Sequence, residues 1–297
     1  MRKLFIRAMN AGALSVPRAS RIVPGRVAVC ILLLAVCRIW PGPPAHAADV
    51  IDLGQCAPAE TRLYLALAKA SEAAYDDSRP GLERTPSGCV ALVTEDGDGN
   101  LVIAFRGSML ADRTPEHPFS SLGGANMRRN YRDWVATNLK QASGFLPRQY
   151  TEAAVLVEKH VREHPVDKLV FVTGHSKGGG AATYAHVAAS LSPIVSARQA
   201  GRMRCVTFNA AVVRERNWRR LYRELGRNTD ASRKELAAGS IHALCMRDDP
   251  VSKIAASEER ACVKRIVIVP TAPHTPNQQH GIDVVIAELA ERAAARD

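Results

Sequence analysis

The sequence predicts an α/β fold: a mainly parallel central sheet with helices on both faces. Short apolar runs alternate with segments of helical period, the pattern of βαβ units. Two of the runs, Phe171-Val172-Thr173 and Cys205-Val206-Thr207-Phe208, are nearly continuous in apolar character, as strands covered on both faces are. The composition, 46% apolar and 23% charged over 297 residues, is that of an ordinary folded chain.

Residues 1–47 stand apart. They carry seven basic groups, Arg2, Lys3, Arg7, Arg18, Arg21, Arg26 and Arg38, and no acid. The apolar run Val27–Cys37 and then Ala45-His46-Ala47 follow, which is the order of a secretory signal peptide with an A-x-A cleavage site. The run has 11 residues, short of the roughly 20 that a membrane-spanning helix needs. Export to the periplasm or beyond is therefore expected, with residues 48–297 forming a single mature domain. Removing the leader leaves 33 basic against 29 acidic residues. The net charge of +11 is thus largely a leader property. With aromatics at 5%, no nucleic-acid partner is expected.

The remaining elements follow in chain order. A helix is predicted over 59–77, where apolar residues recur at helical spacing. CVALVTED and LVIAFRG, spanning 89–107 around the turn GDGN, predict a hairpin. A polar stretch without clear period, 109–130, precedes a helix near 131–139, and a further helix covers 148–164. Strand 167–173, an alanine-rich helix 178–191, strand 203–209 and a basic helix 214–226 come next. Strands 241–246 and 263–270 and a last helix from about 281 complete the chain.

Five cysteines lie beyond the leader, and an oxidising compartment favours pairing them. Bridges Cys56–Cys89 and Cys245–Cys262 are expected, with Cys205 acting as a small buried apolar group. No C-x-x-C motif occurs, and neither metal nor cofactor is expected.

In open α/β sheets, sites form at the carboxyl ends of the strands. Gly174-His175-Ser176-Lys177-Gly178 lies at such an end and fits G-x-S-x-G, a tight strand-to-helix turn in which flanking glycines make room for an exposed serine. Alone, the pattern would arise in roughly one chain in ten of this length; a strand before and a helix after make it about tenfold rarer. A phosphate-binding glycine loop does not fit GHSKGGGAAT. A serine hydroxyl needs a base, and the base an orienting acid. After strand 241–246 come Asp248 and Asp249; after strand 263–270 come His274 and His280. The order serine, acid, histidine is satisfied with either member of each pair. His274 stands near two prolines, whereas His280 directly precedes the last helix and is preferred. Oxyanion donors are expected from the N–H of Lys177 and from Ser108, after the strand LVIAF.

AFRGS, YRDWVATNL, VTGHSKGGGAA, RDDPV and QQHGIDVVIAEL, in this order, resemble the lipase class three family, in its bacterial GHSKGG-bearing branch. The similarity covers about 59–294. It implies an α/β-hydrolase fold and ester hydrolysis on lipid-like substrates. It also implies nucleophile Ser176, acid Asp249, base His280, oxyanion groups Ser108 and Lys177, and elbow glycines Gly174 and Gly178. An exported triacylglycerol lipase or phospholipase is the main expectation, with contact to a lipid interface. A carboxylesterase or thioesterase on small soluble acyl groups and a non-catalytic hydrolase-like domain that binds envelope lipid or a partner are the alternatives. The family often carries a lid where 109–130 stands, but this segment holds few large apolar residues. The segment 212–236 reads as an insertion, and FNAAVVRERN replaces the glycine–proline–arginine segment of many members.

Overall fold

Residues 50–108, 146–228, 240–255 and 263–295 are described by the computed structural model. All of them lie in Pro43–Asp297, one of the two units into which the chain divides. Residues 1–47, the segment 109–130 and the helix expected near 131–139 lie outside the described residues.

Strand β1 (Val50–Asp52) leads into a 3₁₀ turn whose first free N–H, from Gly54, donates to the Asp52 carboxylate at 2.7 Å. Helix α1 (Pro58–Ala73) begins on a proline, whose missing N–H costs nothing in the first turn. It buries Tyr64, Leu67, Ala68 and Ser71, one face at helical spacing. Strands β2 (Leu82–Arg84), β3 (Val90–Glu95) and β4 (Leu101–Phe105) form an antiparallel meander. The β3–β4 turn is the one GDGN predicts: the Asp96 carboxylate accepts the N–H groups of Asp98 and Asn100, both at 2.9 Å, and Gly99 takes φ 71°.

The parallel part then builds up: helix α2 (Arg148–Glu163), strand β5 (Val170–His175), helix α3 (Lys177–Ser190), strand β6 (Met203–Phe208), helix α4 (Glu215–Glu224), strand β7 (Ile241–Met246), strand β8 (Val263–Ile268) and helix α5 (Ile282–Ala294). The eight strands lie in the order β1-β8-β7-β6-β5-β4-β3-β2. Every neighbouring pair from β4 to β8 is parallel, as is β1 with β8. The result is a mostly parallel sheet flanked by helices.

Strand alternation divides the core between the two faces. Val170, Val172, Met203 and Cys205 pack with α2, α3 and α4. Phe171, Val206, Phe208 and Leu244 pack with α1 and α5. Helix α4 is held by Trp218, Leu221 and Tyr222, all buried, and Trp218 stacks on Tyr184 of α3 with ring centroids 5.8 Å apart. Arg216, Arg219, Arg220 and Arg223 are left on its exposed face. This helix opens the expected insertion 212–236, whose residues from 229 on lie outside the described ones.

The expected Cys56–Cys89 bridge is not formed. The two residues belong to the clusters on opposite faces of the sheet, so the layer itself separates them. Burial pushes the Cys89 thiol up to about 12, against the opposing pull of Lys177. Cys205 is buried in β6 as expected, and Cys262, the expected partner of Cys245, lies outside the described residues.

Candidate active site

Ser176 is the single residue between β5 and α3, and it adopts φ 56°, ψ −125°. Such a conformation costs a side-chain-bearing residue about 1–3 kcal/mol. The surroundings enforce it from both sides. The Ser176 N–H donates to the Phe208 carbonyl at 3.0 Å, while its carbonyl accepts the N–H of Ala211 at 2.9 Å. Glycines make the turn possible. A Cβ on Gly174 would stand 2.5 Å from the Gly178 carbonyl carbon, and one on Gly178 would stand 2.2 Å from the Phe105 carbonyl oxygen. Without side chains at both positions, α3 seats its first turn against the end of β4.

From this turn the Ser176 hydroxyl reaches His280, with Oγ 3.0 Å from Nε2. On the other edge of the ring, Nδ1 lies 2.7 Å from Asp249 Oδ1. A carboxylate only accepts, so Nδ1 carries the proton and donates; Nε2 of the neutral ring then accepts from the serine. Asp249 is fully buried, and its second oxygen accepts the Ser252 N–H at 2.6 Å. The carboxylate is therefore fixed by bonds to both oxygens.

The neighbouring candidates fall elsewhere. Asp248 is half-buried and contributes its backbone N–H, which donates to Gln279 Oε1 at 2.8 Å. His274 sits beside Glu288, with Nε2 4.0 Å from the carboxylate. Asp249 and His280 are the members of each pair that meet Ser176.

Ser108 leaves β4 at the same end of the sheet as the serine turn, since Phe105 is in register with Gly174. The chain between them is tightly seated: a Cβ on Gly107 would lie 2.7 Å from the His175 carbonyl oxygen. Arg106, buried just before it, donates from Nε to the Ala74 carbonyl and pairs with Asp77. Burial, the largest influence on Asp77, would raise its carboxyl, but Arg106 and then Arg84 outweigh it and hold the group below the usual carboxylate range. The AFRGS arginine thus anchors the Ser108 loop to the end of α1. Lys177 opens α3, so its N–H belongs to the first helical turn, where backbone donors point outward along the axis. A small cavity against this turn is lined by Cys89, Arg106, Gly107, Gln149, Tyr150 and Lys177.

Three residues not singled out in the sequence also converge here. His175 Nε2 donates to the His280 carbonyl at 2.7 Å, and its Nδ1 lies 3.1 Å from the Tyr75 hydroxyl. Asn209, fully buried with φ 44°, donates from Nδ2 to the Gln279 carbonyl at 2.7 Å and accepts the Met246 N–H at 2.9 Å. Gln279 in turn accepts from Asp248 and donates to the His274 carbonyl at 3.2 Å. Their only sequence signal is position: His175 and Asn209 stand at the carboxyl ends of adjacent strands.

No curated protein matches the chain. Among solved structures it is similar to the Rhizomucor miehei lipase propeptide complex, at 15% identity over 71% of each chain, with a TM-score of 0.30, too low to equate the two folds. The description of one family, the Tle-like phospholipase domain, a phospholipase-like group, matches residues 67–267. That span runs from α1 to β8 and includes the serine turn and the acid. A lipid substrate and a lipid-hydrolysing, phospholipase-like function go with that family. The chain belongs to the family of Tle-like phospholipase domains.

Proposed function

We propose that this protein is an exported serine ester hydrolase that cleaves carboxylic esters of phospholipids, on an α/β-hydrolase fold of the lipase class three type. The observation that carries the reading is the unbroken hydrogen-bond chain from Ser176 through His280 to buried Asp249, with the serine held in a strained turn at a helix start. Strain of this kind persists where the surroundings over-determine it, and it is common at reacting groups.

The chemistry follows from the roles. Ser176 Oγ bonds to the ester carbonyl carbon as its proton passes to His280 Nε2, and the carbonyl electron pair moves onto oxygen. The N–H groups of Lys177 and Ser108 bind that oxyanion; one such donor is worth about 3 kcal/mol of barrier. Asp249 stabilises the imidazolium and does not take its proton. Collapse expels the alcohol, which leaves with the proton from Nε2. Water then adds to the acyl carbon, giving its proton to the same nitrogen, and the carboxylic acid departs as Ser176 regains its hydrogen.

The test is hydrolysis of phosphatidylcholine and phosphatidylglycerol vesicles by wild type and Ser176→Ala, with a fluorophosphonate probe in parallel. Wild type should hydrolyse and label, and the variant should do neither. Full activity in Ser176→Ala would reject the serine mechanism, and labelling without hydrolysis of any acyl ester would reject the substrate class. Export is tested by the N-terminus of the protein recovered from the periplasm or medium, expected at Ala48.

A further inference from the structure

We propose that Asn209 and His175 are positioning residues that set the angle of the His280 ring by gripping two successive backbone carbonyls beneath it. The proposal rests on the serine-hydrolase reading above. His280 follows the short helical turn Pro276–Gln279, and the carbonyls at such an end have no partners within the turn. Here two side chains supply them. Asn209 Nδ2 donates to the carbonyl of Gln279, and His175 Nε2 donates to that of His280, each at 2.7 Å. The donors come from the ends of neighbouring strands β6 and β5, which also frame Ser176.

The bonds fix the state of each donor. A carbonyl cannot donate, so His175 carries its proton on Nε2, and Nδ1 is left to accept from the Tyr75 hydroxyl. The Asn209 side-chain oxygen accepts the Met246 N–H, which assigns its amide orientation. Met246 ends the strand that leads to Asp249. One asparagine thereby ties the acid's strand to the base's turn. Gln279 makes a second tie between the same segments, taking the Asp248 N–H.

Asn209 also has φ 44°. Glycine would satisfy that backbone at less cost, so the asparagine is there for its side chain. This supplies the test. Asn209→Gly keeps or relieves the backbone and deletes both side-chain bonds; Asn209→Asp keeps the acceptor for Met246 and removes the donor to Gln279. His175→Phe removes the second grip.

Steady-state hydrolysis of a soluble p-nitrophenyl ester, fluorophosphonate labelling rate and thermal midpoint are measured for each variant. The expected result is a fall in kcat and labelling rate of about tenfold to a hundredfold, with KM within about threefold and a wild-type melting temperature for at least one variant at 209. Folded variants that keep kcat and labelling within about twofold of wild type would overturn the proposal. If Asn209→Gly fails to fold, Asn209→Asp decides. Wild type that hydrolyses the ester but never labels at Ser176 would instead overturn the underlying mechanism, and the positioning role with it.

Discussion

Asp249 Oδ1 and His280 Nδ1 are 2.7 Å apart, and the carboxylate has no exposure to solvent. An amide in its place would offer a donor to Nδ1 and favour the wrong tautomer, as the same change does in serine triads. Asp249→Asn should therefore lower kcat by about 10³–10⁴-fold. Asp248→Asn and His274→Asn should stay within about threefold of wild type, because neither side chain reaches the reacting groups. Initial rates on one ester substrate, taken for the three variants together, check both halves.

Ser176→Gly should trade activity for stability. Glycine adopts φ 56° without a Cβ penalty, and the relieved strain exceeds the single hydrogen bond lost to His280. A net gain of about 1 kcal/mol, or about 3 °C in melting temperature, is expected alongside loss of hydrolysis. A melting temperature below wild type would mean that the turn is not strained.

Gly178→Ala should destabilise by about 2–3 kcal/mol, since its Cβ would meet the Phe105 carbonyl at 2.2 Å and backbone cannot swing aside as a side chain can. Gly97→Ala is the control. Nothing lies within 4 Å of a Cβ there, so urea midpoints should move by no more than about 0.5 kcal/mol equivalent.

Acid should weaken the fold through His186. Buried in α3, it has its pKa lowered to about 3, by desolvation first and by Arg204 second. The folded chain keeps it neutral, whereas the unfolded chain protonates it near 6.5. Its contribution is thus fully present above pH 6.5 and is lost as pH falls toward 3. Between pH 6.5 and 4.5 the loss is about 2 kcal/mol. In His186→Leu the drop in urea midpoint from pH 7.5 to 4.5 should be smaller; an equal drop would show that the acid sensitivity lies elsewhere.

The central strands and long helices were legible in the sequence because burial on both faces writes itself as apolar runs and helical faces as period. Strand β7 coincides with its expected span, Ile241–Met246. Strands β1 and β2 were not legible: three residues cannot display a period, and β1 exists by pairing with β8, far along the chain. At the site, a glycine-flanked serine marks itself through the needs of its turn. The acid and base were narrowed to two residues each, and only tertiary placement separates Asp249, whose carboxylate meets His280, from Asp248, which offers Gln279 its backbone N–H. Asn209 and Gln279 act through single bonds to distant backbone, and no local pattern encodes that. The failed cysteine pairing has the same origin, since chain order does not reveal that a sheet lies between Cys56 and Cys89.

The strand order places β1, the first of the described strands, beside β8, the last of them, and the serine is 104 residues ahead of His280. During synthesis, at roughly 5–20 residues per second, Ser176 waits about 5–20 s for its base to leave the ribosome. Under the proposed mechanism, every nascent chain short of residue 280 is inert toward lipid, however much of its sheet has formed. On that same mechanism, prematurely ended chains that lack His280 would be harmless to the membranes of the cell that makes them.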